Sequence, residues 1–218
     1  MIAVTFAHPS ESGDFFRLLG SRHHQVKILH TGVGGAACRE GLAPFLDSQP
    51  FDYLISSGFA GGVDPSLDVG HLFLATNFSD PDLFARAREA LICQVGKLAT
   101  ADRIVESAAA RAQFARQHHA AAVDMETEEI ADACAARKIP MLSLRVISDT
   151  TAAPFPAPPE VLFDLARQRT NASALARHLI TRPSAIGRLI RFSQRIAKAR
   201  RQLGVGLTTF LLTESQKN

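Results

Sequence analysis

The chain has 218 residues, of which 46% are hydrophobic and 21% charged, proportions that exclude a disordered chain and a fibrous repeat. No uncharged run reaches the ~18–20 residues a spanning helix needs. Three isolated cysteines (Cys38, Cys93, Cys134) supply neither a disulfide framework nor a zinc site.

The first residues carry no basic segment ahead of an apolar one and no small-residue cleavage site, so a cytoplasmic protein without a signal peptide is expected. The formal net charge of +3 is unevenly placed. Between Leu165 and Thr213 stand ten Lys/Arg and no Asp or Glu, which leaves the rest of the chain net acidic. A basic tail on an acidic body is not the pattern of a nucleic-acid binder, whose cations spread over the domain.

Ile2–Phe6 reads as a buried first strand, followed by a loop that carries Glu11. Gln25–Thr31 reads as a second strand, ended by the glycines of Thr31-Gly32-Val33-Gly34-Gly35, and Ala36–Leu46 as a helix. Phe51–Ser56 is a third strand that runs into Ser57-Gly58-Phe59-Ala60-Gly61-Gly62. Gly70–Ala75 and Ile92–Leu98 are further strands, and the stretch TNFSDPDLFARARE between them reads as a loop. Glu106–Gln117 is helical. Ala120–Val123 leads into a helix starting at Asp124, with acids in its first turn where the dipole favours them. Met141–Ile147 is a strand that stops at Ser148-Asp149. Thr151–Pro159, with four prolines in nine residues, is a linker. Val161–Arg201 reads as helical with a break near Pro183. Alternating strands and helices predict an α/β three-layer sandwich, a mixed, mainly parallel sheet with helices on both faces. Residues 1–160 form that domain and 161–218 a basic helical extension.

Ligands of such sheets bind beyond the carboxyl ends of the strands, and that is where the glycine clusters, the acids at 124 and 126, and Asp149 fall. Each has a plain and a chemical reading. The glycines serve either as tight turns or as a close backbone approach to a ligand. Asp124 and Glu126 either satisfy a helix start or grip hydroxyl groups, because a carboxylate accepts two hydrogen bonds. Asp149 either forms a turn or, shielded from water, delivers a proton to a ring nitrogen. Glu11 is either a surface acid or a base that polarises water.

Taken together these stretches resemble the purine nucleoside phosphorylase and methylthioadenosine/adenosylhomocysteine nucleosidase superfamily. The resemblance rests on Val123-Asp124-Met125-Glu126 before a helix, Arg145-Val146-Ile147-Ser148-Asp149 ending a strand, and the glycine motif from Ile55 to Gly70. Thr31-Gly32-Val33-Gly34 and Thr100-Ala101-Asp102 add weaker matches. It covers residues 1–150 and implies cleavage of the N-glycosidic bond of an adenine-type nucleoside, with no cofactor and no metal. It further implies that Glu126 holds the ribose hydroxyls with Met125 packed on the sugar, that Asp149 protonates the purine, and that Glu11 activates water. Asp124, Gly58, Phe59, Ala60, Gly61, Ile104, Val105 and Ser148 complete the substrate site. A homo-oligomer is also implied.

Phosphorolytic members hold phosphate with an arginine before the glycine motif and a hydroxyl inside it, but the matching positions here are Ser56 and Phe59. With no cation in the motif, hydrolysis is expected. The alternative is phosphorolysis, with Arg39 or Arg103 as the cation. Ile104 stands where an aromatic would stack on adenine, and the stretch after Ala75 is shorter than in the nucleosidases. Thr181-Arg182-Pro183 and the Arg/Leu-rich segment behind it resemble a hopanoid-associated phosphorylase subgroup, which implies a 5′-substituted or lipid-linked adenosine. On that reading residues 182–201 meet an anionic membrane peripherally; otherwise the tail packs on the acidic body. A non-catalytic nucleoside-binding protein is the reading from another class.

Overall fold

The structure is a computed structural model that describes residues 1–20, 25–164 and 169–217. In chain order the strands of its large sheet are β1 (Ile2–Phe6), β2 (Val26–His30), β3 (Tyr53–Gly62), β4 (Leu72–Ala75), β5 (Gln94–Gly96), β6 (Leu98–Thr100), β7 (Ala122–Asp124) and β8 (Met141–Asp149). Their order is β2-β1-β3-β8-β4-β5, with β7 on the far end of β3 and β6 on β7. Pairing is parallel except for β3 with β7 and β4 with β8. The expected mixed, mainly parallel sheet is thus present, with helices on both faces.

The period of two along each strand divides the core. Val4, Phe6 and Ile55 point to one face, where α1 (Pro9–Leu19), α3 (Pro81–Ala90) and α8 (Ala185–Lys217) cover them with Phe15, Leu83, Leu203, Leu207 and Phe210. Ala3 and Leu54 point to the other, under Cys38 and Leu42 of α2 (Gly35–Asp47) and Ile130 and Cys134 of α5 (Thr127–Arg137). Each such side chain removed from water contributes roughly 1.5–3 kcal/mol. α8 seats closely against α1. A Cβ on Gly204 would lie 2.9 Å from the backbone nitrogen of Phe15, and Arg200 Nε donates to Asp14 Oδ2 at 2.7 Å. The body-facing stripe of α8 is Ala199, Leu203, Leu207 and Phe210, whereas Ile186 and Ile190 are about half exposed.

Several elements differ from expectation. The segment after β1 is a helix, because His8 caps α1 with its side chain and Glu11 returns to the His8 backbone in a capping box. The glycine stretch 57–62, open between a tight turn and a close approach to a ligand, is the second half of β3; it outruns β1, stays paired with β8 and gains β7 as a partner at Gly61 and Gly62, with a register shift at Ala60/Gly61. The loop expected after Ala75 contains α3, capped by Asp80 with Pro81 in its first turn. Ile92–Leu98 divides into β5 and β6. The helix placed at Asp124 starts at Thr127, so Asp124 ends β7 and Glu126 stands at the N-cap. Glu106–Gln117 is α4 (Ala108–His118). Val161–Arg201 is not helical throughout. It holds the end of the short α6 (Pro159–Leu162), a two-stranded ladder of β9 (Phe163–Asp164) and β10 (Arg169–Thr170), α7 (Ala172–Thr181) and part of α8, and residues 165–168 lie outside the described residues. No described helix is long and apolar enough to cross a membrane.

Candidate active site

β1 stops at Phe6 while β3 and β8 continue past it, which opens a crevice beyond the carboxyl end of β1. A cavity of about 140 Å³ occupies it. Of the residues expected at a site, Glu11, Phe59, Ala60, Gly61, Ile104, Val105, Asp124, Met125, Glu126, Ser148 and Asp149 all line this cavity. Gly58 is not among its walls; it lies directly behind Glu11, where a Cβ would fall 3.0 Å from Oε2. Its φ of +146° also lies in the region that favours glycine.

Glu11 is buried and held from three directions. Oε2 accepts the backbone N–H groups of Ala7 (2.9 Å) and His8 (3.2 Å), and Oε1 that of Phe59 (3.1 Å). Burial pushes its carboxyl above the ordinary range, against the pull of those N–H groups and of Arg145. The sequence reading that left it on the surface fails because α1 turns it inward. Glu126 bridges to the glycine turn before α2, where Gly34 N–H donates to Oε1 at 2.6 Å. Burial raises it to about 8, with the charge of Asp124 adding to the effect.

Asp124 meets no ligand-facing donor. Its carboxylate is consumed by Thr100 Oγ1 (3.0 Å), the Thr127 hydroxyl, and Arg145 Nη2 at 2.9 Å. Arg145, 2% exposed, also donates to Ser56 Oγ (2.7 Å) and Thr127 Oγ1 (2.5 Å). Asp149 sits at the end of β8. Ser148 Oγ donates to its Oδ1 at 2.7 Å, and Arg111 of α4 forms a buried ion pair with Oδ2. The same guanidinium donates to Gly62 O at 2.9 Å.

Known proteins resemble this chain in sequence and in fold. The sequence profile of the Phosphorylase superfamily matches residues 79–181. The match covers just under half of this chain. The chain is 30% identical over 156 residues to futalosine hydrolase of Streptomyces coelicolor, covering 56% of this chain and 66% of that one. It is 28% identical over 164 residues to 5′-methylthioadenosine/S-adenosylhomocysteine nucleosidase of Colwellia psychrerythraea, covering 57% and 66%. The chain thus spans just under two thirds of these relatives' length. In fold it is similar to futalosine hydrolase of Helicobacter pylori (TM-score 0.71, 17% identity, 96% of each chain). It is equally similar to the nucleosidase of S. pneumoniae (TM-score 0.71, 21% identity, 96% and 97%).

The cavity contains Arg111, Val33 and Phe155, which sequence reasoning did not place at a site, and Arg103, which it offered only as the cation for phosphate. Arg111 had no signal, since α4 has little amphipathic pattern and its lone buried residue is this arginine. Arg145 had one. A cation inside the apolar strand MLSLRVI has to be paired, and it is the cation that the glycine motif seemed to lack. Arg39 is instead paired with Glu129 near the surface.

Proposed function

We propose that this chain cleaves the N-glycosidic bond of an adenine-type purine nucleoside by hydrolysis. The observation that supports it is that Glu11, Glu126 and Asp149, from three separate parts of the chain, share one cavity with the apolar Ile104 and Val105. In this reading Glu126 accepts hydrogen bonds from the ribose hydroxyls, Met125 packs on the sugar, and the apolar wall receives the base. Glu11 takes a proton from water as its oxygen attacks C1′. The C–N bond breaks, its electron pair passes into the purine, and Asp149, having first taken up a proton from solvent, delivers that proton to the ring nitrogen. Arg111 then stabilises the carboxylate that remains, as a fixed charge in a site shielded from water does. The products are the free base and the free sugar.

Water is favoured over phosphate because Arg145, the cation nearest Glu11, is already paired with Asp124, so that phosphorolysis would have to rely on Arg103, which also lines the cavity. A homo-oligomer, a cytoplasmic location and peripheral contact of 182–201 with anionic membrane belong to the same proposal, the last supported by the charge of that segment. The test is release of adenine from adenosine and 5′-substituted adenosines, with and without phosphate. Adenine and reducing sugar at equal yield without phosphate are expected. A strict phosphate requirement overturns hydrolysis, and no release from any nucleoside overturns the function.

A further inference from the structure

Beside the nucleoside cavity lies a second, larger cleft of about 490 Å³, between the proline-rich loop 152–156 and the first half of α8. Arg188, Arg191, Arg195 and Lys198 line it. Their spacing of three and four residues places them in one stripe along the helix, and no described acid lines the cleft with them. Like charges on one stripe repel, so this arrangement costs stability unless an anion occupies it. Arg195 is fixed in place: Nη2 donates to Pro154 O at 3.2 Å, the guanidinium lies 5.9 Å from the Phe192 ring, and its buried Nε has no partner among the described residues.

The two spaces share a wall, Phe155. The nucleoside cavity, at about 140 Å³, is the size that takes one small ring system (~150 Å³ holds benzene), so a larger ligand has to extend out of it. With the base held at Asp149 and the ring hydroxyls at Glu126, the substituent free to leave is the one on C5′.

We propose that this cleft is an anion subsite that takes a phosphate or phosphodiester group carried on the 5′ side of the nucleoside. The cavity end of this inference rests on the nucleoside reading above; the cleft itself does not. Guanidinium groups suit phosphate because their planar fork donates two parallel hydrogen bonds. The phosphate belongs either to a soluble ligand or to a lipid headgroup, and one experiment separates them.

Binding of adenosine, ADP and inorganic pyrophosphate is measured by calorimetry at low salt. The proteins are the full chain, an Arg191→Ala/Arg195→Ala variant, and an Arg116→Ala control on the exposed face of α4. In the parent and the control, ADP binds about tenfold tighter than adenosine or more, the expected gain from two charge-assisted contacts. In the double variant that ratio falls toward one and pyrophosphate binding is lost. Equal affinity for ADP and adenosine in the parent, or an ADP preference that survives in the double variant, overturns the proposal. Cosedimentation with phosphatidylglycerol and phosphatidylcholine vesicles forms the second arm. Stripe-dependent binding to phosphatidylglycerol alone, competed by pyrophosphate, assigns the site to a headgroup; stripe-dependent pyrophosphate binding without vesicle binding assigns it to a soluble phosphate. If pyrophosphate binds through the stripe while no nucleoside is cleaved, the subsite stands and the nucleosidase reading falls.

Discussion

Glu126→Gln isolates the buried carboxyl that the ribose reading requires. A carboxyl held at about 8, against an ordinary 4.5, is protonated in the folded chain at pH values where the unfolded chain has already lost its proton. Between those two values the folded state binds more protons, so its stability falls as pH rises. The stabilising difference is fully present below about pH 4.5 and lost by about pH 8. At ~1.36 kcal/mol for each tenfold change in proton affinity, the loss approaches about 5 kcal/mol, and about 4 kcal/mol of it falls between pH 5 and pH 9. Glutamine keeps the acceptor for Gly34 N–H and has no charge to bury. Urea unfolding of parent and variant should therefore give nearly equal stabilities at pH 5 and a variant several kcal/mol more stable at pH 9. Taking the difference cancels titrating groups remote from the site, whereas Glu11 and Asp124, whose charges repel that of Glu126, contribute through their coupling to it. At pH 9, where the parent carboxyl is ionised, the same variant should bind nucleoside worse, since an amide holds two hydroxyls less well than a carboxylate. Stability curves that run parallel from pH 5 to pH 9 would refute the reasoning.

Asp149→Asn should cost ~10²–10⁴ in turnover. It should also destabilise the fold by about 3–5 kcal/mol, because it strands the Arg111 charge. Adding Arg111→Gln should return most of the stability and none of the adenine release, which thermal unfolding and the release assay together check. Gly58→Ala forces a Cβ to within 3.0 Å of Glu11 Oε2 in a backbone conformation unsuited to alanine. Adenine release should fall by up to ~10²-fold as the carboxylate moves; an unchanged rate would show that Glu11 needs no fixed position. Gly204→Ala presses on the backbone of α1 and should cost about 1–3 kcal/mol in urea unfolding, with the activity of the folded fraction retained.

Alternation of apolar runs with helical stretches was enough to predict the layered α/β fold, because strand and helix periods are local properties of the chain. The paired stretches ending in Glu126 and Asp149 pointed to the site for a related reason: acids and glycines cluster where buried strands end. What failed was local detail under tertiary control. A glycine run permits a turn in isolation, but in this sheet it is strand, because β8 continues beside it and β7 pairs with its last residues beyond the end of β1. Glu11 looks like a surface acid until α1 rotates it under Gly58. Asp124 looks like a ligand-gripping acid until Arg145, from a strand 21 residues away in sequence, takes its charge. The sequence by itself determined the layers, the strand ends and the chemical types of the site residues. Only the tertiary structure decided which of the cavity's carboxylates are paired with buried arginines and which are not, since ion pairing depends on distance in space, which no local pattern encodes.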